Sequence, residues 1–532
     1  MELPRVIEAL TRPGAYPERP EKVGFEQTHI SYLFFTPEFV YKVKKHVDFG
    51  FLDFTTLQKR RHFCEEEVRL NSRLAPGVYL GVVEVIETED GIFMETDHEG
   101  GEEGEGRTVE YAVKMKRLPE DGMLDTLLVR DRVDASLMKK AAGAIASFHR
   151  TAETSEHIAH FGEPGTIERN TEENFFQVSD YIGRTITQKQ FDDIKAYTKG
   201  FLSSHKGLFI ERVKDGFIRD CHGDIHSEHV SVADGISIFD CIEFNERFRY
   251  SDTVADMAFL AMDLDYHGRG DLSRTFEDAY FSLTGDEEGR EFLDFYKCYR
   301  AFLRGKVEGF KLAEPEESEE DKRAAAELAR LHFHLAHLYA TGGYRPVVLA
   351  VCGLSGTGKS ALARSLGHRA GITVLSSDAV RKELHGVAPD EHRFERYGEG
   401  IYSGEATERT YEELMERAGA MAASGRSVIL DATFSRGEFL DAAKRAASDA
   451  GALFRVVECT ADEEAVRERF EKRGAAEGEK GGKGGGGAVS DARWEIYLRQ
   501  KESFEPVALP HLTITSDAPP DELAGRVIRR LF

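Results

Sequence analysis

The sequence predicts two domains: an α+β bilobal domain over residues 1–340, then an α/β domain over residues 341–532 with a five-stranded parallel sheet and helices on both faces. Three observations support this fold class. A chain of 532 residues has the length of two to four domains. Before residue 340, alternating segments come first and helical patterns follow, which is typical of α+β folds. After residue 340, short apolar runs alternate with helical patterns, which favours parallel strands joined by crossovers.

The elements of the first domain follow from periodicity. Apolar and polar residues alternate in four segments, and helical patterns dominate from about residue 135. The turn signal Asp234-Gly235 predicts a hairpin over 230–240. A helix over 324–340 then ends at Gly342, Gly343 and Pro346, which places the domain boundary there. The four predicted strands are 28–35, 38–44, 78–87 and 110–116.

In the second domain, five short apolar runs separated by helical patterns predict the parallel strands. About 190 residues are enough for one compact domain of this kind. The predicted strands are 347–352, 372–375, 427–430, 454–459 and 511–515.

Composition excludes several classes of partner. With 70 basic and 95 acidic residues the formal charge is −25, which argues against nucleic acid because phosphate backbones repel such a chain. We find no window of about 18 uncharged apolar residues and no secretory signal, so we expect no membrane span. Six scattered cysteines without a CxxC pair indicate reduced thiols. Together these features predict a cytoplasmic protein, and they leave its oligomeric state open.

A phosphate-binding motif begins the second domain. Residues 353–360 read GLSGTGKS and match G-x-x-x-x-G-K-[ST] in full, with a predicted strand before and a helix after. Backbone amides of such a loop surround a phosphate, and the helix N-terminus adds a favourable dipole. We expect Lys359 to reach the β- and γ-phosphates of ATP and Ser360 to bind Mg²⁺. The predicted nucleotide contacts are Gly353, Leu354, Ser355, Gly356, Thr357, Gly358, Lys359 and Ser360.

Five further residues of this domain have a predicted role, and all but one of them also have an alternative explanation. Asp378 follows the second strand, where sheets of this kind bind ligands, and could accept a proton from a substrate hydroxyl; alternatively it caps a helix. Arg381, three residues later, is predicted with Asp378 to contact the substrate. Asp431 ends the third strand and is expected near Mg²⁺, or is a simple turn residue. Arg469, with Arg473, precedes a glycine-rich stretch.

The arginines suit a lid that closes on the transferring phosphate, although a solvated helix face would also contain them. The GLSGTGKS loop, the segment SSDAVRKEL, the strand-end DATF and these arginines resemble the small P-loop kinases, such as the gluconate kinase-like, polynucleotide 5′-hydroxyl kinase-like and zeta-toxin-like proteins. The resemblance covers about 343–532. It implies a P-loop fold, ATP and Mg²⁺ as cofactors, activation of the acceptor hydroxyl by Asp378, and phosphate binding by Arg469 and Arg473.

A second kinase-type motif lies in the first domain. Residues 222–229 read HGDIHSEH, and Asp240 follows the predicted hairpin. These residues resemble the catalytic loop H-G-D-x-x-x-x-N of the aminoglycoside phosphotransferase family, over about 25–310. The resemblance implies a bilobal kinase-like fold, with Asp224 as the catalytic residue and Asp240 as a metal ligand. Asp252 and Asp256 resemble the family's following aspartates, which buttress the loop.

One position departs from that family. Its metal-binding Asn is His229 here, and imidazole is a poor ligand for Mg²⁺. Either the second metal is lost, or another group serves, with His226 and Glu228 as nearby candidates; His229 is itself kept among the predicted metal residues. The phosphate-anchoring lysine is expected on the strand EFVYKVKK, where Lys42 and Lys44 share a face.

Of these two lysines Lys42 is preferred, with Glu67 as its partner and Glu66 as the alternative. The leading hypothesis is a bifunctional ATP-dependent phosphotransferase, with two unrelated ATP sites that act on hydroxyl groups of small molecules. A second hypothesis keeps only the P-loop domain active, with residues 1–340 as a binding or regulatory module. A third is an ATP-driven switch without a small-molecule acceptor.

Overall fold

The computed structural model describes residues 3–94, 106–315, 317–388, 399–479 and 494–531. The chain divides into two compact units, and neither is one continuous segment. Among the described residues, no helix is both long and apolar enough to cross a membrane. All six cysteines are described, buried and without a disulfide. The first unit comprises 1–170, 201–260 and 276–293; the second comprises 171–200, 261–275 and 294–532.

The first unit begins with a six-stranded antiparallel sheet in the order β1-β2-β3-β6-β4-β5. Alternation along β3 sends Tyr41 and Val43 into an apolar core with α1, so Lys42 and Lys44 point to the opposite face. Helix α2 packs against β4 and β6. The elements are α1 (Leu3–Leu10), β1 (Gly24–Gln27), β2 (Ser31–Phe35), β3 (Phe39–Lys44), α2 (Leu57–Asn71), β4 (Tyr79–Thr88), β5 (Gly91–Met94) and β6 (Arg107–Lys116).

Helices dominate the next part of the chain, with two short two-stranded sheets, β7-β10 and β8-β9, among them. The hairpin predicted at 230–240 is β8-β9, and Gly235 in its turn has φ +105°. These elements are α3 (Leu124–Val129), α4 (Ala135–Thr151), α5 (Glu156–Ala159), α6 (Pro164–Val178), α7 (Gln188–Ser204), α8 (Lys206–Lys214), β7 (Ile218–Asp220), β8 (Val230–Ser231), β9 (Ser237–Ile238), α9 (Glu246–Arg249), β10 (Tyr250–Asp252), α10 (Thr253–Tyr266), α11 (Gly270–Thr284), α12 (Leu293–Phe310) and α13 (Glu319–Ala340).

The second unit contains a five-stranded parallel sheet in the order β12-β13-β11-β14-β15. One apolar core joins the sheet to α16 and α17, and a separate core joins it to α14 and α20, so helices cover both faces. Its elements are β11 (Val347–Cys352), α14 (Lys359–Ala370), β12 (Thr373–Ser376), α15 (Ser377–Leu384), α16 (Gly404–Ala423), β13 (Val428–Asp431), α17 (Gly437–Asp449), β14 (Leu453–Thr460), α18 (Glu463–Glu479), α19 (Trp494–Ser503), β15 (Leu512–Thr515) and α20 (Pro520–Leu531).

The predicted fold class is confirmed, since all five parallel strands occur where the sequence predicted them, within one or two residues. One predicted strand of the first sheet is wrong in part. The segment 28–35 is not continuous, because Thr28 lies in the turn between β1 and β2. There its amide donates to the Ser31 carbonyl at 2.9 Å, and the Ser31 amide donates to Thr28 Oγ1 at 3.0 Å. Apolar alternation runs through this turn and conceals it.

The domain boundary at 340/341 stays a prediction. The second compact unit also takes in helical segments that precede residue 340. Within that unit the Ser427 amide donates to the Gly268 carbonyl at 2.8 Å, and Glu327 on α13 pairs with Arg529 on α20 at 2.9 Å. Glu327 also pairs with Arg369 on α14. Burial raises the pKa of Glu327, against the effect of these arginines.

Candidate active sites

The GLSGTGKS loop joins the carboxyl end of β11 to the start of α14. Gly353, Gly356 and Gly358 have φ values of +135°, +81° and +100°, a region that only glycine enters at little cost. At Gly353 space is also limiting, because a Cβ atom would lie 2.3 Å from the Cys459 carbonyl oxygen. The loop therefore requires glycine for both conformation and space, and Lys359 begins α14 directly behind it.

Ser360 and Asp431, the two residues of this domain that are predicted to lie near Mg²⁺, contact each other. Ser360 Oγ donates to Asp431 Oδ1 at 3.0 Å, and Asp431 at the end of β13 is 5% exposed. A hydroxyl and a carboxylate are hard oxygen donors, which are the ligands that Mg²⁺ prefers. The residues present therefore fit this ion.

Arg469 on α18 holds the loop from behind. It donates to the carbonyl oxygens of Gly356 and Thr357 at 3.1 Å each and to that of Ser516 at 2.7 Å. The Ser355 amide meanwhile donates to Gln500 Oε1 on α19 at 3.0 Å. These contacts fix the loop carbonyls and bind the Arg469 guanidinium to groups of the chain itself.

Arg473 is predicted beside Arg469, but its side chain lies outside the described residues, as does the following stretch 480–493. Arg467 on the same helix is exposed and pairs with Glu471 at 3.1 Å. Such an ion pair between residues four apart is typical of a helix face exposed to solvent.

The predicted acceptor residues lie on α15. Asp378 is in the first turn of this helix and half-buried, and the N-cap is Ser376, which makes no side-chain cap hydrogen bond. Arg381 turns into the protein and donates to the Ile401 carbonyl at 2.8 Å and to Thr407 Oγ1 at 3.3 Å. These hydrogen bonds bind Arg381 to other residues of the chain. Asp378 lies two residues after β12, at the carboxyl end of that strand.

In the first unit, Lys42 lies between two carboxylates. Its Nζ is 2.8 Å from Glu67 Oε1 and 2.6 Å from Asp240 Oδ1. Burial alone would lower the pKa of Lys42, but Asp240 and Glu67 raise it well above its usual value. Of the two glutamates that the sequence offered, the structure brings Glu67 to Lys42, while Glu66 pairs with Arg69 at 2.6 Å.

Lys44 occupies a different environment from Lys42. Its side chain is fully buried, 2.7 Å from Glu67 Oε2, and it also contacts Glu243. The Lys42 side chain by comparison is 11% exposed and reaches the half-exposed Asp240. Lys42 therefore faces the opening of the site, whereas Lys44 belongs to its interior.

The HGD loop is held by Asp256 on α10. Its carboxylate accepts the amides of His222 at 3.0 Å and Gly223 at 2.7 Å, and contacts His149 Nε2 at 3.1 Å. Gly223 has φ +89°, and a Cβ atom there would lie 2.8 Å from the Phe248 carbonyl oxygen. The bonds from Asp256 fix the loop backbone on its buried side. The Asp224 side chain is 30% exposed.

Two imidazoles lie among the acidic groups of this site. His229 Nε2 is 3.5 Å from Asp240 Oδ2, and the rings of His226 and His229 are 3.9 Å apart between centroids. Burial, followed by His226, lowers the pKa of His229. Burial would raise the pKa of Asp240, but Lys42 and then His229 lower it well below its usual range.

Sequence reasoning missed several residues that shape the two sites. Glu243, which contacts Lys44, follows Asp240 by three residues in DCIEF, and no periodic pattern marks it. Gln500, which accepts the Ser355 amide at 3.0 Å, is more than 140 residues from Ser355 in sequence. Ser516 is also more than 140 residues from the phosphate loop and accepts a 3.0 Å hydrogen bond from Arg469, which in turn contacts the loop. Only the folded chain brings these residues together, and no signal in one sequence could have identified them.

Comparison with known proteins gives a family for most of the chain. The sequence model of the AAA domain family matches residues 348–507, which contain the phosphate loop. Three proteins described only as uncharacterized, Mb2027c of Mycobacterium bovis and MT2060 and Rv2004c of Mycobacterium tuberculosis, are each 31% identical over 457 residues, which cover 85% of this chain and 86% of the relative.

Solved structures similar to parts of the chain include two kinases and one protein of a kinase family. A Mycobacterium tuberculosis APS kinase in complex with AMPPNP and APS is 24% identical and covers 35% of this chain and 98% of its own, with a TM-score of 0.26. A Sinorhizobium meliloti gluconokinase is 16% identical, covers 35% and 93%, and has a TM-score of 0.25. A choline/ethanolamine kinase family protein from Mesorhizobium loti is 13% identical, covers 63% and 98%, and has a TM-score of 0.37.

Proposed function

We propose a phosphotransferase function for this chain, which belongs to the family of the mycobacterial proteins Mb2027c, MT2060 and Rv2004c. In this proposal it transfers the γ-phosphoryl group of ATP to a hydroxyl group of a small molecule in the cytoplasm. Residues 341–532 form the P-loop kinase domain and residues 1–340 a second kinase-type domain. Its acidic composition, with a net charge of −25, favours a small acceptor over nucleic acid.

The observation that carries the proposal is the meeting of Ser360 with Asp431 at 3.0 Å, directly behind a glycine-built loop. Phosphoryl transfer depends mainly on positioning and on neutralising charge. The loop amides and Lys359 would hold the β- and γ-phosphates, and Ser360 and Asp431 would hold Mg²⁺. When bound, that ion supplies further positive charge against the phosphate oxygens.

The other residues of this domain have distinct proposed roles. Asp378 would accept the proton of the acceptor hydroxyl as the oxygen attacks the γ-phosphorus. Arg469 would keep the loop carbonyls turned away from the phosphates through its bonds to Gly356 and Thr357, with Arg473 beside it on the lid. Arg381 would keep α15 in place under Asp378, and any direct contact with the acceptor would use its remaining guanidinium face.

The test uses a metabolite mixture, ATP and detection by mass spectrometry of a gain of one phosphate. We expect Lys359→Met to reduce formation of at least one phosphorylated product by at least about 100-fold, since it removes the cation that contacts the transferring group. Lys472→Met is the matched control, because Lys472 is 79% exposed on α18. Unchanged formation of every product in Lys359→Met would refute the assignment.

We further propose that the first unit contains a second phosphotransferase site, in which Lys42, positioned by Glu67 at 2.8 Å, holds ATP phosphates and Asp224 activates the acceptor. Two activities then require that Asp224→Asn and Lys359→Met abolish different products. If one product is lost in both variants, the chain has a single reaction.

The presence of His229 favours the alternative of a binding or regulatory module in the first unit. In that case Asp224→Asn would leave every product unchanged, while Lys42→Met would still alter nucleotide binding. A switch without an acceptor would instead hydrolyse ATP slowly, at a rate that no metabolite changes.

A further inference from the structure

The metal position of the first unit contains a donor set that does not suit Mg²⁺. Where the resembling kinases have an asparagine oxygen, this chain has the imidazole of His229, with the imidazole of His226 packed against it. Mg²⁺ takes oxygen ligands in near-ideal octahedral geometry, whereas imidazole suits the borderline first-row metals. Among the described residues, Asp224, His226 and His229 also form a group whose ligand atoms all lie within 4.8 Å of one another.

His229 is oriented as a metal-binding histidine is oriented. Its Nδ1 lies 2.9 Å from the Asp224 carbonyl oxygen, an acceptor, so Nδ1 carries the proton and Nε2 carries the lone pair. A backbone carbonyl that receives the other ring N–H is a common arrangement behind a metal-ligating imidazole. Nε2, which is left to accept, lies 3.5 Å from Asp240 Oδ2.

Asp240 is fixed with one oxygen turned to His229. Its Oδ1 receives Lys42 at 2.6 Å, and its backbone amide donates to the Tyr79 hydroxyl at 3.1 Å. The residue has φ +62°, so the surrounding contacts hold it in a left-handed conformation that Asp adopts less readily than glycine. Its side chain is 42% exposed, which leaves room for an incoming ion.

The two candidate ligand atoms are close enough to bind one ion. Two ligands at about 2.1 Å from a tetrahedral ion lie about 3.4 Å apart. The observed separation of His229 Nε2 and Asp240 Oδ2 is 3.5 Å. Asp224 Oδ2 lies 3.6 Å from His226 Nε2 beside this pair.

We propose that His229 Nε2 and Asp240 Oδ2 bind a first-row transition-metal dication such as Zn²⁺ or Co²⁺ in preference to Mg²⁺, with Asp224 and His226 lining the site. The remaining coordination positions are open to water or to phosphate oxygens. This inference does not depend on phosphoryl transfer by either unit, because it concerns binding of the metal alone.

The test is a Co²⁺ titration of the full chain without nucleotide, after removal of metals with a chelator. We expect one equivalent of Co²⁺ to bind with the visible absorption of a nitrogen-ligated site, and Mg²⁺ in 100-fold excess to leave it bound. His229→Asn and Asp240→Asn should each weaken Co²⁺ binding at least about tenfold. His160→Asn is the control, because His160 is 58% exposed and lies outside this site.

Two results would overturn the proposal: displacement of Co²⁺ by an equal concentration of Mg²⁺, or equal Co²⁺ affinity in wild type and His229→Asn. Circular dichroism of each variant shows whether it is folded. X-ray absorption spectroscopy of the Co²⁺-loaded wild-type chain gives a measurement that needs no variant. It should detect a coordinated imidazole nitrogen, and an all-oxygen Co²⁺ environment would contradict the proposal. Since no ATP is present, failure here leaves the proposed kinase activity untouched.

Discussion

The two lysines of β3 allow a direct test of the roles that the first unit gives them. We predict that Lys44→Met lowers stability strongly, whereas Lys42→Met mainly weakens nucleotide binding. Both changes remove an ammonium from the same strand face and keep a side chain of similar length. They differ in surroundings, because the Lys44 side chain is fully buried and that of Lys42 is 11% exposed.

The expected magnitudes follow from what each change leaves behind. Without Lys44, Glu243 loses the ammonium that it contacts, and its side chain is 4% exposed. Removing one partner of a buried ion pair costs about 3–5 kcal/mol. Without Lys42, Glu67 keeps Lys44 at 2.7 Å and Asp240, whose side chain is 42% exposed, can be hydrated. We therefore expect Lys42→Met to cost roughly 1–2 kcal/mol.

Urea unfolding followed by circular dichroism measures the stability of both variants. ATP binding is measured by calorimetry in a Lys359→Met background, so that the phosphate loop of the second unit does not mask the result. In that background, Lys42→Met should weaken the affinity for ATP at least about tenfold, as expected for a lost contact to a charged group. Equal destabilisation by the two changes, or normal ATP binding in Lys42→Met, would refute the assignment.

Three further predictions concern other parts of the chain. Burial lowers the pKa of His222 to about 4, so between pH 6.5 and 4 the unfolded state binds a proton that the folded state does not. The free energy of unfolding should therefore fall by about 2 kcal/mol from pH 7 to pH 5. His222→Asn should reduce this dependence of stability on pH. Gly353→Ala should weaken ATP binding, measured by calorimetry, at least about tenfold, because the added Cβ would lie 2.3 Å from the Cys459 carbonyl oxygen. Gly386→Ala is the control: Gly386 has φ +65° and no atom within 4 Å of an added Cβ, so ATP binding should be unchanged. Glu327→Ala should lower the melting temperature, at a cost of about 3 kcal/mol, because it leaves Arg369 and Arg529 without their partner; the exposed Glu320→Ala should have little effect.

The local motifs and the strands of the second unit could be predicted because each depends on neighbouring residues. A glycine-rich loop between a strand and a helix carries its whole geometry within GLSGTGKS, where three glycines have positive φ. The turn at Thr28 was hidden, because apolar alternation continues through it and only the 2.9 Å bond to Ser31 distinguishes it. Pairing between distant residues, such as Ser355 with Gln500 at 3.0 Å, has no local signature.

The sequence by itself determined which residue types were available: a phosphate loop, an HGD loop, two lysines on one strand face, and a histidine in place of an asparagine. Only the tertiary structure decided how they are used. It separated Lys42, which reaches Asp240 at 2.6 Å, from Lys44, which lies in the interior with Glu243. It also turned His229 Nε2 toward Asp240 Oδ2. The physical reason is that burial and distance set the energies of charges and metal ligands, and both depend on residues that only folding brings together.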